Sequence, residues 1–431
     1  MRRIFNQLAI FAMFPLLAWG TENFPPPEFR NGYNFPQYTH PGPRSEMFLL
    51  IDVAMLALTL GLAAYFILKM RSRPHLQVLG IFSILYFGFY RQGCVCAVGA
   101  IQNVAMSIGQ SGYALSFGIA AFFLLPLLVA LFMGRVFCGG VCPLGAVQDL
   151  LLQRPVRVPS WLEHSLGLLP AVYLGAAVLF AATGSAFVIC MYDPFVALFR
   201  LSGSITILIC GGALLLLAVF VGRPYCRFLC PYGVLLRVMA PLAKWRMRIT
   251  HQECVKCHLC ADACPFGAIH APTAPPISRD RYSGRGRLAL LLLALPLLVV
   301  LGGWLGYHSV GTLYRMHPTV QQAEAALALD RGHFPIDPAS PNIALYRHAQ
   351  SIRRQFLLGG KLFGKVHIYP TMLFGMWLGL IVACKLLWLS RRRQRSEYEI
   401  DQAACLSCGR CYQVCPVERV EMPTDIHVPP S

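Results

Sequence analysis

Long apolar runs separated by short arginine-rich breaks set the pattern of this chain. Stretches at 47–68, 114–133, 167–189, 205–221, 288–307 and 368–389 are almost free of charge. Each approaches the about 20 residues that a helix needs to cross a hydrocarbon core of about 30 Å. A seventh, 76–90, is apolar but short, and needs tilt, local thinning or continuation by the next segment. The pattern predicts an α-helical polytopic membrane protein with about seven transmembrane runs. Composition agrees: of 431 residues, 56% are hydrophobic and 13% charged, which excludes an ordinary soluble domain.

Charge sharpens the picture. Lys and Arg outnumber Asp and Glu by 37 to 19, a balance that in a soluble protein suggests nucleic acid. Here the cations bracket the apolar runs, as at Arg71, Arg73, Arg154, Arg157, Arg223, Arg227, Lys244, Arg248 and Arg391. That is the positive-inside distribution of a membrane protein, and no nucleic-acid partner is expected. The first residues read as a signal peptide or an uncleaved anchor at 1–20, with Arg2 and Arg3 before an apolar stretch. A proline-rich segment at 21–46 then lies outside the cytoplasm. Intramembrane charges are few, Asp52 apart, so a transporter finds little support.

The candidate chemistry is carried by cysteine, of which there are 17. C-x2-C-x2-C-x3-C-P occurs twice, at Cys254, Cys257, Cys260, Cys264 and at Cys405, Cys408, Cys411, Cys415, each followed by proline. This is the ferredoxin spacing for [4Fe–4S] clusters, in which the fourth cysteine of each run ligates the other cluster. The expectation is two [4Fe–4S] clusters, one on Cys254, Cys257, Cys260 and Cys415, the other on Cys405, Cys408, Cys411 and Cys264. Zinc usually takes two paired C-x2-C knuckles instead. Cys254-Val-Lys-Cys257-His258 also matches the haem c attachment signature. It lies inside a complete ferredoxin run on the expected cytoplasmic side, so haem is not expected.

Four further cysteines form a duplicated C-x3-C-P, at Cys138 and Cys142 and at Cys226 and Cys230, each after an apolar run and a Gly-Arg step. Together they offer four thiolates, the number one further iron–sulfur centre needs. Cys96-Ala-Val-Gly-Ala-Ile-Gln-Asn103 echoes Cys142-Pro-Leu-Gly-Ala-Val-Gln-Asp149. Cys94, Cys96, Cys190 and Cys210 are candidates for another centre towards the outer side. Cys384 reads as structural. No residue is expected to be catalytic. His308 and His367, at neighbouring helix ends, are candidates to line a quinone or partner site.

Alternating the runs from an outside start places both ferredoxin runs in the cytoplasm. The expected organisation is a transmembrane core at 47–240, the first half of a two-cluster ferredoxin-like α+β module at 241–287, and its second half at 390–431. A membrane hairpin at 288–389, with an outer loop at 308–366, splits the module.

Arg91-Gln-Gly-Cys-Val-Cys-Ala-Val-Gly-Ala-Ile-Gln-Asn103, the two C-x3-C-P elements, Cys190-Met-Tyr-Asp-Pro-Phe195 and the paired ferredoxin runs resemble the NosR/NapH type of membrane polyferredoxin. Arg315-Met-His-Pro-Thr-Val320 looks more NosR-like. The resemblance implies an electron-transfer subunit of a respiratory oxidoreductase complex in the bacterial cytoplasmic membrane. Its partners would be a cytoplasmic donor or quinone, a periplasmic redox partner and the membrane lipid. NosR-like proteins usually carry a large periplasmic FMN-binding domain at the N-terminus. Residues 21–46 are too short for one, so flavin is expected only through a partner flavoprotein. A membrane copper reductase and a redox-sensing regulator are the competing readings.

Overall fold

The structure is a computed structural model that describes residues 46–93, 96–110, 112–156, 158–200, 204–249, 254–273, 278–313, 368–390, 395 and 397–416. The signal segment, the 21–45 stretch, Cys94 and nearly all of the 308–366 loop, with His317 and His367, lie outside the described residues.

Helix α1, Glu46–Leu68, is apolar on every side, the signature of a helix surrounded by lipid or protein. α2, Arg73–Ser83, opens with Pro74 in its first turn and runs on into a π-helical segment, Ile84–Tyr90. Then come α3, Ala97–Gly109, and α4, Phe117–Met133. A second π-helical segment, Phe137–Val141, leads into α5, Pro143–Leu151. α6, Ser160–Leu166, and α7, Leu169–Ala182, make one near-continuous span. α8, Val188–Tyr192, α9, Pro194–Arg200, and α10, Ile205–Ala218, follow. α11, Pro224–Phe228, and α12, Tyr232–Met239, close the core. Beyond it stand α13, Leu259–Asp262, and β1, Ile269–His270. The long helices α14, Ser278–Leu313, and α15, Ile368–Ser390, form the hairpin. β2, Glu399–Ile400, and α16, Arg410–Val414, complete the described chain.

Among the described residues, four helices are long and apolar enough to cross a membrane, at 47–68, 160–182, 288–313 and 368–390. α9 and α10 supply a fifth only as a pair bent by 104°. The expected count of seven is therefore not recovered as seven long helices. The 114–133 run yields the 17-residue α4, ended by Gly134 at a φ of 74°. The 76–90 run lies in an α-helix that loosens into π geometry, a device often found near functional sites. Both lie beside the cysteine elements. α3, a separate apolar helix, was not anticipated.

A buried ion pair ties the first helices together. Asp52 on α1 takes Arg91 at 2.7 Å and the Tyr86 hydroxyl at 3.0 Å, tying α1 to the end of the first π-helical segment. α14 and α15 approach at Gly302 and Gly375, where a side chain on either would strike the other's backbone, the close packing typical of membrane helices.

The two cysteine-rich tails meet although a membrane hairpin separates them. β1 and β2 pair antiparallel, Ile269 opposite Ile400 and His270 opposite Glu399. The Asp401 amide donates to Ala268 O at 2.7 Å, and Thr273 and Arg395 exchange two further bonds.

Candidate iron–sulfur centres

The duplicated element reads Gly-Arg-x-x-Cys-x3-Cys-Pro-x-Gly in both copies, Gly134 to Gly145 and Gly222 to Gly233. In each copy the second cysteine leads into a short helix: Cys142 stands just before α5, and Cys230 with Pro231 just before α12. Cys138, Cys142, Cys226 and Cys230 are all buried and are electrostatic neighbours of one another. Ser83 on α2 donates to Gly140 O at 3.2 Å, which holds the first copy against the upper part of that helix.

The copies lock together by exchange of arginines. Arg223, 0% exposed, donates to Cys138 O and, at 3.2 Å, to Gly139 O of the first copy. Its Nη1 would lie 3.3 Å from a Cβ on Gly145. Arg135, 2% exposed, lies 3.8 Å from Cys138 Sγ and would lie 3.5 Å from a Cβ on Gly233 of the second copy. Gln148 completes the joint. Its Oε1 accepts from Tyr225 N at 3.0 Å, and its Nε2 reaches Cys226 Sγ at 3.5 Å.

The ferredoxin halves dock onto these elements. Arg135 donates to Ala403 O at 3.0 Å and Arg73 to Cys408 O at 3.3 Å. Arg227 donates to Pro265 O at 3.3 Å and Phe266 O at 3.4 Å. Asp149 is the hub, with Arg73 at 3.2 Å, Arg410 at 3.5 Å and Arg223 at 3.6 Å. Burial alone would raise its carboxyl, but the three guanidiniums hold it below the usual carboxylate value. At Gly139 a Cβ would come within 2.7 Å of Ser407 O. A Gly139→Val chain is expected to force the second ferredoxin half off its seat, at about 1–3 kcal/mol. Faster alkylation of the buried Cys408 in iron-free protein would report it.

Within the ferredoxin module, Cys264 of the first run neighbours Cys405 and Cys411 of the second, while Cys260 neighbours Cys254 and Cys257. α13 packs on α16. Burial pushes the Cys405 thiol up to about 12. Cys408 is buried beside the membrane core, whereas Cys257 is exposed.

The charge around these residues fits iron–sulfur clusters. Arg73, Arg135, Arg223 and Arg410 surround the thiols, three of them sharing Asp149 and Arg135 having no carboxylate among the described residues. The Nε atoms of Arg135, Arg223 and Arg410 are buried without a hydrogen-bond partner. Such surplus buried positive charge suits an anionic cluster.

The outer candidates divide. Cys96 stands just before α3 and has Cys190 and Asp193 as electrostatic neighbours. Cys190 Sγ would lie 3.6 Å from a Cβ on Gly99. Cys210 is exposed on α10, and Cys94 lies outside the described residues. Cys96 also shares an apolar cavity with Cys142, so the inner and outer cysteines are closer than opposite membrane edges would make them. The sequence pattern marks Arg223 only as a cation bracketing an apolar run and gives Arg135, Gln148 and Asp149 no role. The signal was present in the repeated Gly-Arg step and in the Gln-Asp that ends the Cys142 echo.

Two family profiles, each described as a 4Fe-4S binding domain, match the chain. One covers residues 115–167 and 204–250, the C-x3-C-P elements. The other covers 247–270 and 398–418, the ferredoxin runs. Among curated relatives, an uncharacterized protein of Methanocaldococcus jannaschii is 29% identical over 42% of this chain and 77% of its own length. The putative electron transport protein YccM of Escherichia coli is 29% identical over 39% of this chain and 52% of its own. The regulatory protein NosR of Pseudomonas aeruginosa is 32% identical over 44% of this chain and 29% of its own. The chain thus spans about half of YccM and under a third of NosR. No solved structure matches. Apolar helices, ferredoxin domains and these relatives define a membrane iron–sulfur protein of electron transport. In its paired 4Fe-4S binding domains and in its partial likeness to NosR and NirI the chain is similar to the NosR/NapH type of membrane polyferredoxins.

Proposed function

We propose that this chain carries electrons across the bacterial cytoplasmic membrane, between a cytoplasmic donor or the quinone pool and a periplasmic redox partner, a flavoprotein in one form of the reading. The observation that carries it is the seat of the second ferredoxin half on the C-x3-C-P elements, where Arg135 reaches both Ala403 O and Cys138 Sγ. Two [4Fe–4S] clusters would be held by Cys254, Cys257, Cys260 and Cys415, and by Cys405, Cys408, Cys411 and Cys264. A further iron–sulfur centre would be held by Cys138, Cys142, Cys226 and Cys230. When bound, such clusters accept and release single electrons with little rearrangement. The protein's part is to hold them in sequence, bury them and offset their charge. The ferredoxin module lies in the cytoplasm in this reading, since cations bracket the apolar runs of the sequence and Arg73, just after α1, bonds Cys408 O.

Iron and acid-labile sulfide per chain, measured on anaerobically purified protein with EPR during stepwise reduction, test the proposal. More than about eight irons, the content of two cubes, is expected, with a fall when Cys138 or Cys226 becomes serine. About eight irons, unchanged in those variants, would confine the redox chemistry to the ferredoxin module. Two relatives carry the name regulatory protein, which keeps redox sensing as the competing reading. Altered gene expression with normal electron flux in cells lacking the protein would favour it.

A further inference from the structure

The Cys142 echo at Cys96 is structural as well as sequential. Both cysteines stand in extended backbone immediately before a helix. Gly99 corresponds to Gly145, and Gln102 to Gln148. Gln148 Oε1 accepts the backbone amide of Tyr225, beside Cys226, at 3.0 Å, and Gln102 Oε1 accepts the backbone amide of Cys190 at 3.3 Å. Gln148 Nε2 reaches the Cys226 sulfur, whereas Gln102 Nε2, fully buried, has no hydrogen-bond partner. A buried orphan donor beside a cysteine calls for an acceptor, and a cluster sulfur is one.

The second arm of this outer arrangement repeats the inner one with a change of ligand type. Cys226 is followed after three residues by Cys230-Pro231, and Cys190 after two by Asp193-Pro194. Pro194 opens α9 as Pro143 opens α5. Asp193 is 3% exposed and lines the same cavity as Cys96 and Cys142. Its Oδ1 accepts from Phe195 N at 2.9 Å and its Oδ2 from the Tyr225 hydroxyl at 2.7 Å. A carboxylate has about four lone-pair positions, so two remain for a metal.

We propose that Cys96, Cys190 and Asp193 form an outer iron–sulfur site, in which Asp193 stands at the corner that a Cys-Pro thiolate fills in the inner one. Iron accepts carboxylate as well as thiolate ligands. Cys210 has no part in it. The Tyr225 hydroxyl fixes the carboxylate from one side, and the Tyr225 amide ties the same residue to Gln148 of the inner site. The inference rests on the reading of the C-x3-C-P elements as a cluster site, and extends it outwards.

The test compares iron, sulfide and EPR redox titrations of the anaerobically purified full chain with those of six variants, Cys138→Ser among them. Cys96→Ser, Cys190→Ser and Asp193→Asn are expected to lose the same EPR signal and about a quarter of the iron, if four four-iron centres are present. Cys210→Ser is expected to match the parent. Asp193→Cys is expected to keep the iron and shift the midpoint potential of that one signal, which a purely structural aspartate would not do. The ferredoxin signals serve as the check that each variant is folded. Asp193→Asn with the parent's iron, signal and potential would overturn the proposal, as would equal loss in Cys210→Ser. Iron lost in Cys138→Ser but untouched in Cys96→Ser overturns the outer site alone. Iron untouched in both overturns the underlying reading as well.

Discussion

Cys264→Ser is expected to strip the cluster of the second ferredoxin run while leaving that of the first. Cys264 is the last thiol of the first run, and on sequence distance alone it would serve Cys254, Cys257 and Cys260. Its electrostatic neighbours include Cys405 and Cys411 of the second run, although Cys260 of the first run also neighbours Cys411, and Arg227 holds the following Pro265 and Phe266 carbonyls against the core. The β1–β2 pairing brings the second run alongside. A cube that loses one of four thiolates loses its closed ligation, so about four irons should go with one EPR signal. Cys415→Ser should take the other signal. EPR of the reduced variants, with iron counts, separates the two assignments. Loss of the first-run signal in Cys264→Ser would mean that each run closes on itself.

What could be read in the sequence was the chemistry set by local spacing. Cysteines two or three residues apart keep their relation however the chain folds, so the ferredoxin runs and the duplicated C-x3-C-P were legible. Hydropathy identified the long helices α1, α14 and α15, which need only length and apolarity. The other apolar runs fold into shorter helices beside the cysteine elements. α4 stops before Arg135, and α2 loosens into π geometry beside Gly140. Long-range pairing was not legible. No pattern in Asp149 or Arg410 announces that three guanidiniums meet one carboxylate, because the partners come from segments far apart in the chain. Asp193 escaped for a related reason. A search for metal ligands by cysteine passes over an aspartate in the cysteine's place, and only the match of Gln102 to Gln148 exposes it.

Replacing Arg223 is expected to do more damage than any other substitution outside the cysteines. The side chain is fully buried, bonds two carbonyls of the opposite copy and faces Asp149 at 3.6 Å. Cys226, Cys408 and Cys138 all feel its charge. Arg223→Met leaves those carbonyls and part of the Asp149 charge uncompensated, and removing one member of a buried pair costs about 3–5 kcal/mol. Arg223→Lys keeps the charge but gives up the planar fork that serves several acceptors together, so it should fall between parent and Met variant. Thermal unfolding of the detergent-solubilised chain measures the stability, and EPR measures whether the inner centre is lost with it. A pH series adds a sign. The Asp149 carboxyl is held below its ordinary value, so its contribution is complete above that value and disappears as pH falls through the lowered one. The parent should therefore keep its ferredoxin docking at mildly acidic pH and lose it only in strong acid. In Arg223→Met that loss should begin at a higher pH, because one of the three guanidiniums holding the carboxyl down has gone. An unchanged acid transition in the Met variant would show that Arg73 and Arg410 alone set the Asp149 charge, leaving Arg223 to act on the thiols.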